Sequence, residues 1–391
     1  MKVAILTGGG DKPYAIGLLE ALVAKGICVD FIGNDEMGSC EIVKHENVSF
    51  FNLRGDQTTT ASKAKKIFRV LLYYIRLIKY VTTTKTKVFH ILWCNKFIIF
   101  DRTILNIYYK ILGKKIVYTA HNVDERERDG GNNILNSFSL RFLYRIVDHI
   151  FVHTQKMKSQ LVKEFKLADR KIEVIPFGVN NTIPKTKLSK NEAKKMLGCQ
   201  HSKKVMLFFG NIAPYKGVEY AIHATSLLRN KHNEIKLIIA GQIKGCMQYW
   251  MELENIIEKN KLDKHILKFN DYIPDEEVER FFKCADVVLL PYKFIYQSGV
   301  LFLAYSFGIP VIATDVGSLK EDIIEGKTGM ICLAEDAKDL ANKINYFFNS
   351  EIYKNEADTM KYIISYVNEK YSWEKVTEIT RKVYCRAMAR Q

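Results

Sequence analysis

The sequence predicts an α/β fold built from two doubly wound parallel sheets in tandem. Short apolar runs rich in β-branched residues alternate with longer stretches of helical period, which is the pattern of βαβ units. A polar stretch at residues 180–187 interrupts the alternation once, and its composition suits a linker. The length of 391 residues fits two large domains, and 48% hydrophobic with 26% charged residues excludes a disordered or fibrous chain.

The first half, residues 1–180, has six or so predicted strands. It begins with a strand at residues 3–6, a glycine turn at 8–10 and a helix at 14–25. Apolar runs predict five further strands, at 29–32, 88–92, 115–118, 149–152 and 172–175. Helical period predicts helices at 61–80, 102–112, 135–145 and 155–165. This order predicts one doubly wound, Rossmann-like domain.

The second half, residues 181–370, restarts the same alternation. Its predicted strands lie at 205–209, 236–240, 267–269, 287–290, 311–313 and 330–332. Helical patterns such as 218–229 and 276–283 separate them, and from residue 337 onward the pattern is helical only. We expect two such domains to place the carboxyl ends of their strands face to face across a cleft, where ligands bind.

The chain is strongly basic, and its charge is uneven. Lys and Arg number 59 against 43 Asp and Glu, a net charge of +16. Residues 61–115 hold 13 basic residues and a single acidic one, Asp101. Such a surface favours a polyanionic partner, which is nucleic acid, an anionic membrane or a phosphate group. The sequence has no recognised DNA- or RNA-binding motif, so we expect no nucleic-acid partner.

Residues 61–80 predict a basic amphipathic helix. Apolar residues share one face and basic residues cluster on another: Ile67, Val70, Leu71, Tyr74 and Ile78 against Lys65, Arg69, Arg76 and Lys79. One interpretation is docking on an anionic membrane surface through residues 61–115, and the alternative is a core-packed helix with a solvated basic side. The N-terminus lacks a signal-peptide pattern, and no apolar stretch is long enough to span a bilayer. We therefore expect a cytoplasmic protein, peripheral on the inner face of the cytoplasmic membrane.

The eight cysteines are scattered singly, without a CxxC pair or a histidine at metal-ligand spacing. We expect most of them to be reduced core residues. No predicted strand ends in Asp-x-Asp, so a metal that bridges phosphates to paired carboxylates has no evident ligands. The sequence therefore predicts no metal and no cofactor.

Two features of the first half point to a ligand. The first βα turn, Gly8-Gly9-Gly10-Asp11-Lys12-Pro13-Tyr14, differs from the dinucleotide-binding G-x-G-x-x-G because a proline occupies the last glycine position. Its glycines either bring backbone N–H groups close to a phosphate or sugar, or they only make a tight turn. His121 follows the predicted strand 115–118, so we expect it at the ligand edge of the sheet.

Two segments of the second half are suited to binding an anion. In residues 208–217, Lys216 stands beside the N-terminus of the next predicted helix, where a lysine and the helix dipole both favour a diphosphate. In residues 296–301, the first N–H groups of an apolar helix are capped either by Gln297 or Ser298 or by an anion. Two such helix ends in one sheet favour an anion site.

Together these motifs resemble glycosyltransferase family 4, the retaining sugar-nucleotide transferases of the GT-B fold. The ordered set covers nearly the whole chain: residues 8–10, 119–122, 174–179, 210–217, Gly299 with its helix, 308–314 and 371–373. The resemblance implies a donor nucleotide held by the second domain and an acceptor held mainly by the first. It also implies that a final helix, residues 371–391, packs back across the domains.

The resemblance further implies roles for single residues. Lys216 would pair with the donor diphosphate and His121 would contact the transferred sugar near the anomeric carbon, which makes these two the candidate catalytic residues. The other donor-binding candidates are Gly9, Gly10, Asn211, Gly217, Tyr272, Ile273, Gln297, Ser298, Gly299 and Val300. The candidates on the acceptor side are Asp11, Lys12, Tyr14 and Asn122.

Two positions depart from the family's pattern. Asn211 stands where the family usually has an arginine, and Leu303 stands where it usually has the glutamate that holds the ribose. Bacterial members with the same Tyr-Lys-Gly and Gln-Ser-Gly-Val segments typically act in surface-polysaccharide assembly. The expected function is therefore a metal-independent, retaining transfer from a nucleotide-sugar to a glycan or polyprenyl-lipid-linked acceptor. The alternatives are a GT-B sugar-nucleotide epimerase and a catalytically inert sugar-nucleotide-binding protein.

Overall fold

The computed structural model describes residues 1–58, 61–124, 134–179, 183–229, 234–245 and 247–389. The chain forms two compact units. The N-terminal unit holds Met1–Gly178 together with Tyr371–Gln391, and the C-terminal unit holds Val179–Lys370. Each unit has a parallel sheet flanked by helices, which confirms the predicted α/β class with two doubly wound sheets. The first three residues of the predicted linker, 180–182, lie outside the described residues.

The sheet of the N-terminal unit has seven strands in the described part of the chain. They are β1 (Lys2–Leu6), β2 (Cys28–Gly33), β3 (Val48–Asn52), β4 (Val88–Ile91), β5 (Lys115–Thr119), β6 (His149–Val152) and β7 (Ile172–Val174). Their order across the sheet is β3-β2-β1-β4-β5-β6-β7. Six strands lie where apolar runs predict them. The seventh, β3, was not predicted, because it is a half-buried edge strand with only a short apolar run.

The helices of this unit begin at side chains that suit a helix start. Asp11, Ser62 and Thr154 each accept a hydrogen bond from a backbone N–H of the first turn that follows. The helices are α1 (Lys12–Ala24), α2 (Asp35–Gly38), α3 (Lys63–Thr83), α4 (Ile98–Phe100), α5 (Asn106–Ile111), α6 (Ile134–Ile146) and α7 (Gln155–Phe165). A π-helical turn, Asp101–Leu105, joins α4 to α5.

The C-terminal unit repeats this architecture. Its described strands are β8 (Lys204–Phe209), β9 (Ile235–Ala240), β10 (Ile266–Phe269), β11 (Val287–Leu290), β12 (Val311–Thr314) and β13 (Gly329–Cys332). Their order is β10-β9-β8-β11-β12-β13. The helices are α8 (Lys190–Met196), α9 (Val218–Leu228), α10 (Met247–Lys259), α11 (Asp275–Cys284), α12 (Gly299–Ser306), α13 (Leu319–Asp322), α14 (Ala337–Asn349), α15 (Glu351–Lys354) and α16 (Glu356–Lys370).

The last helix, α17 (Trp373–Ala389), packs on α1 and completes the core of the N-terminal unit. A Cβ added at Gly17 or at Gly178 would lie 2.4 Å from the Trp373 ring, so both positions must be glycine for the indole to fit. Val383 and Tyr384 of α17 are fully buried in the same core. The chain therefore returns to its first domain after residue 370.

Helix α3 buries one residue of the predicted apolar face, Tyr74, and packs otherwise through residues outside that face. Its buried face is rich in tyrosine, because Tyr80 donates a hydrogen bond to Asp30 and Tyr74 donates one to Asp101, both at 2.9 Å. Of the predicted apolar face, Ile67 and Leu71 are 61% and 50% exposed. None of the helices in the described ranges is long and apolar enough to cross a membrane.

The cysteines are less buried than expected. Only Cys199, Cys284 and Cys332 are buried among the described cysteines, and Cys385 is exposed. Cys246 lies outside the described residues. The expectation that most cysteines are core residues is therefore wrong, since a cysteine is small enough to lie half-buried on strands and loops.

Candidate functional site

Each sheet has one point where the strand order reverses direction. In the N-terminal unit it lies between β1 and β4, and in the C-terminal unit it lies between β8 and β11. The loops that follow these strands lie side by side at the carboxyl edge of the sheet, which is where doubly wound folds bind ligands. Most of the predicted site residues follow these four strands, and His121 follows β5, the neighbour of β4.

Lys216 lies buried in the loop between β8 and α9. Its Nζ stands 3.9 Å from the centre of the Tyr292 ring, which comes from the loop after β11. The next residue, Gly217, has a φ of 64°, and a Cβ there would lie 2.1 Å from the carbonyl oxygen of Pro291. The tyrosine face and the tight glycine turn therefore hold a cation at the N-terminus of α9, where the helix dipole adds positive charge.

The loop after β11 supplies a second helix N-terminus beside the same tyrosine. Helix α12 begins at Gly299 after Ser298, whose side chain makes no capping hydrogen bond and whose Oγ lies 3.3 Å from the Tyr292 hydroxyl. Gln297 donates from its amide nitrogen to Asp322, whereas its Oε1 is buried without a hydrogen-bond partner among the described residues. An uncapped helix end next to a buried lysine is an arrangement that binds anions.

The remaining donor-binding candidates are more loosely placed. Asn211 is exposed directly after β8 and Gly210, and Val300 packs within 3.4 Å of where a Cβ on Gly210 would stand. Tyr272 is 65% exposed and Ile273 is half-buried. These two follow β10, the edge strand two places from β8.

In the N-terminal unit, the glycine turn after β1 packs against two side chains that follow other strands. A Cβ at Gly10 would lie 1.9 Å from the ring of Trp93, and one at Gly9 would lie 2.5 Å from the guanidinium of Arg54. Gly8 and Gly9 also have positive φ angles of 56° and 77°. The turn requires glycine because these neighbours lie directly on it, and its N–H groups lie at the start of α1.

His121 follows β5 and is enclosed by aromatic rings. Its imidazole lies parallel to the Trp93 indole, with ring centres 4.2 Å apart and planes within 1°. The Tyr14 ring meets it edge-on at 4.8 Å. Trp93 therefore touches both the glycine turn and His121, which makes these residues one packed group.

The hydrogen bonds of His121 determine which ring nitrogen carries its proton. His153 Nδ1 lies 3.3 Å from the carbonyl oxygen of Ile175, and a carbonyl only accepts, so this nitrogen is the donor. In the neutral ring His153 Nε2 is then an acceptor, and it lies 3.1 Å from His121 Nδ1, which must donate. His121 Nε2 is left as a buried acceptor with no hydrogen-bond partner among the described residues.

Both histidines are neutral at physiological pH. Burial, reinforced by the neighbouring His153 and His90, holds the pKa of His121 well below its ordinary value. Burial also lowers the pKa of His153 to about 4 and that of His90 to about 3. A neutral His121 can accept a hydrogen bond from a hydroxyl group, and it cannot act as a proton donor through Nε2.

The candidates on the acceptor side have mixed environments. Asp11 caps α1 by accepting from the backbone N–H of Tyr14 at 2.9 Å, and Lys12 forms a 3.5 Å ion pair with Glu36. Asn122 is half-buried beside His121. Tyr14 is 2% exposed, so its ring supports His121 from inside the unit.

A search of the described residues for metal ligands finds no group of three His, Cys, Asp or Glu side chains that could hold a metal ion.

Comparison with known families covers both halves of the chain. Residues 8–182 match glycosyltransferase family 4, and residues 189–366 match the family of glycosyl transferases group 1. Each half of the chain therefore resembles one domain of known glycosyltransferases. The fold is also that of a solved structure, the Anabaena protein Alr3699/HepE in complex with UDP and glucose. That likeness has a TM-score of 0.74 at 15% identity and covers 99% of this chain and 100% of the other.

The similar sequences match only part of this chain and part of their own length. An uncharacterized glycosyltransferase of Methanocaldococcus jannaschii is 27% identical over 242 residues, which is 60% of this chain and 59% of the relative. The D-inositol 3-phosphate glycosyltransferase of an Arthrobacter species is 26% identical over 246 residues, 61% of this chain and 56% of the relative. The matched region thus spans less than two thirds of these relatives.

Three residues near the candidate sites were not singled out from the sequence. Trp93 and His153 each follow a predicted strand directly, as His121 does, so the rule that selected His121 would also have selected them. Arg54 follows β3, which was not predicted, so no strand end marked it.

Proposed function

We propose that this protein transfers a sugar from a nucleotide-sugar donor to a glycan or lipid-linked acceptor, with retention and without a metal. We place this reaction in surface-polysaccharide synthesis, such as capsule, O-antigen or exopolysaccharide. The observation that carries the proposal is the buried Lys216 beside the uncapped N-terminus of α12. The family matches in both halves of the chain support glycosyl transfer as the reaction.

The donor diphosphate binds to the C-terminal unit in this proposal. As the bond between the sugar and the diphosphate breaks, negative charge builds up on the departing phosphate oxygens. Lys216 and the first N–H groups of α12 are already fixed around Tyr292, so they stabilise this charge without rearranging. Asn211 contributes no charge, which leaves Lys216 as the cation of its segment.

In the N-terminal unit, His121 orients the sugar. Its Nε2, which has no hydrogen-bond partner among the described residues, accepts a hydrogen bond from a sugar hydroxyl, and His153 keeps the proton on the opposite ring nitrogen. Trp93 and the glycine turn hold the imidazole in this orientation. His153 is thus a positioning residue in the proposal, and His121 is the group that touches the substrate.

The proposed acceptor is lipid-linked and is reached at the inner face of the cytoplasmic membrane. Two groups of large apolar side chains within residues 61–115 are exposed: Ile67, Phe68, Leu71 and Ile75 on α3, and Phe97, Ile98, Ile99 and Ile104 after β4. Helix α3 also carries the exposed basic residues Lys63, Lys65, Lys66, Arg76 and Lys79, which suits anionic lipid. Arg102 and Lys114 of the basic stretch are buried and do not contribute to this surface. The Arthrobacter relative is named for a phosphorylated acceptor, so an anionic acceptor has a precedent among similar proteins.

A transfer assay tests the proposal. Radiolabelled UDP-glucose is the first donor, since the Anabaena neighbour was solved with UDP and glucose, and a lipid extract of bacterial membranes supplies the acceptor. We expect label in the lipid phase, with the same rate in excess EDTA, and flotation of the protein with vesicles that contain anionic lipid. Epimerised donor without transfer would identify an epimerase instead. Donor binding with no product from a panel of UDP-, GDP-, ADP- and CMP-sugars would identify an inert binder.

A further inference from the structure

A cavity of about 430 Å³ opens at the carboxyl edge of the N-terminal sheet. The loop after β3, the loop after β4 and the first half of α3 form its walls. The side chains that decide its character are Arg54, Lys66, Arg69, Tyr73, Lys96 and Phe97. None of these residues is among the candidate catalytic, donor-binding or acceptor-side residues named above. Only Arg54 has been mentioned at a candidate site, because it contacts the glycine turn.

The cavity is basic. Four cationic side chains line it, and none of the described lining residues is acidic. Arg69 forms an ion pair with Asp56 at 3.2 Å, and its guanidinium donates hydrogen bonds to two backbone carbonyl oxygens. Arg54, Lys66 and Lys96 form no ion pair within the described ranges, so their charge faces the cavity uncompensated by a direct partner.

Arg54 is held in place by neutral groups. Its guanidinium donates to Asn95 at 2.9 Å and lies 5.3 Å from the centre of the Tyr73 ring, while its Nε is buried without a partner in the described part of the chain. The nearby carboxylate of Asp101 accepts instead from the Tyr74 hydroxyl and the Asn95 backbone N–H. A fixed guanidinium with free donors favours a phosphate group.

The cavity connects two parts of the unit. On one side, the Arg54 guanidinium lies against the glycine turn, since a Cβ at Gly9 would stand 2.5 Å from it. On the other side, Ile67 and Phe97 line the cavity and are 61% and 49% exposed, and they continue into the exposed apolar residues of α3 and α4. A ligand that fits both sides has an anionic group and an apolar chain.

We infer that this cavity binds the phosphate or diphosphate ester group of a lipid-linked acceptor, with the lipid chain lying on the exposed apolar residues beside it. The inference rests on the proposed function and names its acceptor class. The ester phosphate pairs with Arg54, Lys66 and Lys96, and the group to be glycosylated then lies toward the glycine turn.

Isothermal titration calorimetry of the full chain with farnesyl phosphate tests the inference. We expect farnesyl phosphate to bind about tenfold or more tightly than either farnesol or inorganic phosphate, because charge-assisted hydrogen bonds and apolar contact each add affinity. Equal binding of farnesol would show an apolar surface without a phosphate site. Equal binding of inorganic phosphate would show a site for free phosphate. Either result overturns the inference.

A pair of charge-matched variants separates the cavity from general electrostatic attraction. The double variant Lys66→Gln, Lys96→Gln removes two exposed cations from the cavity, and Lys63→Gln, Lys79→Gln removes two from α3 outside it. We expect the first to lose about tenfold in affinity for farnesyl phosphate and the second to bind as the parent does. Equal losses in the two variants contradict the inference.

Titration of the same variants with UDP-glucose distinguishes this inference from the proposed function. The cavity variants should bind the donor as the parent does, since neither Lys66 nor Lys96 is among the proposed donor-binding residues. If farnesyl phosphate binds as expected but no sugar is transferred, the proposed function fails and the cavity assignment stands. If sugar is transferred but the phosphate group adds no affinity, the cavity assignment alone fails.

Discussion

At the switch point of the C-terminal unit, a buried lysine stands over a tyrosine ring beside an uncapped helix end. At the switch point of the N-terminal unit, a neutral histidine is stacked on a tryptophan beside a glycine turn. The two sheets share one strand order up to the sixth strand, so the backbone architecture is the same. In the proposed function, the first site binds negative charge and the second binds hydroxyl groups.

The difference shows what the loops add to a common fold. Both units place their ligand edge by topology alone, since loops after neighbouring parallel strands of a doubly wound sheet lie together. The side chains after those strands then decide the chemistry. In the C-terminal unit the aromatic ring stabilises a cation, and in the N-terminal unit aromatic burial removes charge from three histidines.

The largest expected effect is a loss of stability in acid that is confined to the N-terminal unit. His90 and His153 have folded pKa values of about 3 and about 4, below the ordinary value of 6.5. Their contribution is complete above pH 6.5 and is lost as the pH falls below it, because the unfolded chain binds the protons and the folded chain does not. Between pH 6.5 and its folded pKa, each such histidine lowers the free energy of unfolding by about 1.4 kcal/mol per pH unit. The described histidines of the C-terminal unit, His201, His223 and His265, are not buried.

Urea unfolding at pH 7 and pH 5 measures this effect. In a Trp250→Phe variant the remaining tryptophans, Trp93 and Trp373, belong to the N-terminal unit, so fluorescence follows that unit and circular dichroism follows both. At pH 5 we expect the urea midpoint measured by fluorescence to be lower than at pH 7. It should also be lower than the midpoint measured by circular dichroism at pH 5. His153→Phe should reduce the shift. Fluorescence and dichroism curves that coincide at both pH values would contradict the expected difference in acid stability between the two units.

A smaller effect is expected from alanine at the two site glycines. Gly217→Ala combines a positive φ with a Cβ 2.1 Å from a backbone carbonyl, whereas Gly10→Ala meets the Trp93 side chain, which can move. We expect Gly217→Ala to cost about 2–3 kcal/mol of unfolding free energy and Gly10→Ala about 1–2 kcal/mol. Gly26→Ala, with a positive φ and open space, is the matched control and should cost least. Urea unfolding of the three variants measures this order. A lower free energy of unfolding for Gly10→Ala than for Gly217→Ala would contradict it.

Much of this architecture follows from sequence pattern. Both sheets, most strand positions and the placement of Lys216 and His121 after strands follow from apolar periodicity and from the rule that ligands bind at strand ends. Strand β3 escaped prediction because an edge strand buries little, and Arg54 was missed with it. Partners such as His153 and His121 are 32 residues apart, and only the register of β5 and β6 brings them together.

The buried face of α3 could not be predicted from helical period. Both of its faces carry large apolar or aromatic side chains, and hydropathy does not rank a tyrosine above an isoleucine. Tyr74 and Tyr80 are buried because their hydroxyl groups donate hydrogen bonds to Asp101 and Asp30. Those carboxylates are distant from the tyrosines in sequence. The isoleucines are left exposed, which is the basis of the proposed membrane surface.

The most direct test of the central claim is the transfer rate of Lys216→Ala with UDP-glucose and a lipid-linked acceptor, beside the surface control Lys320→Ala. Removing one fixed group that stabilises developing charge commonly costs about 2.7–4 kcal/mol of barrier, so we expect transfer to slow about a hundredfold or more. The control should retain the parent rate, since Lys320 is exposed and its ion pair is with Asp315. A near-parental rate in Lys216→Ala would contradict the assignment of this lysine to the donor diphosphate.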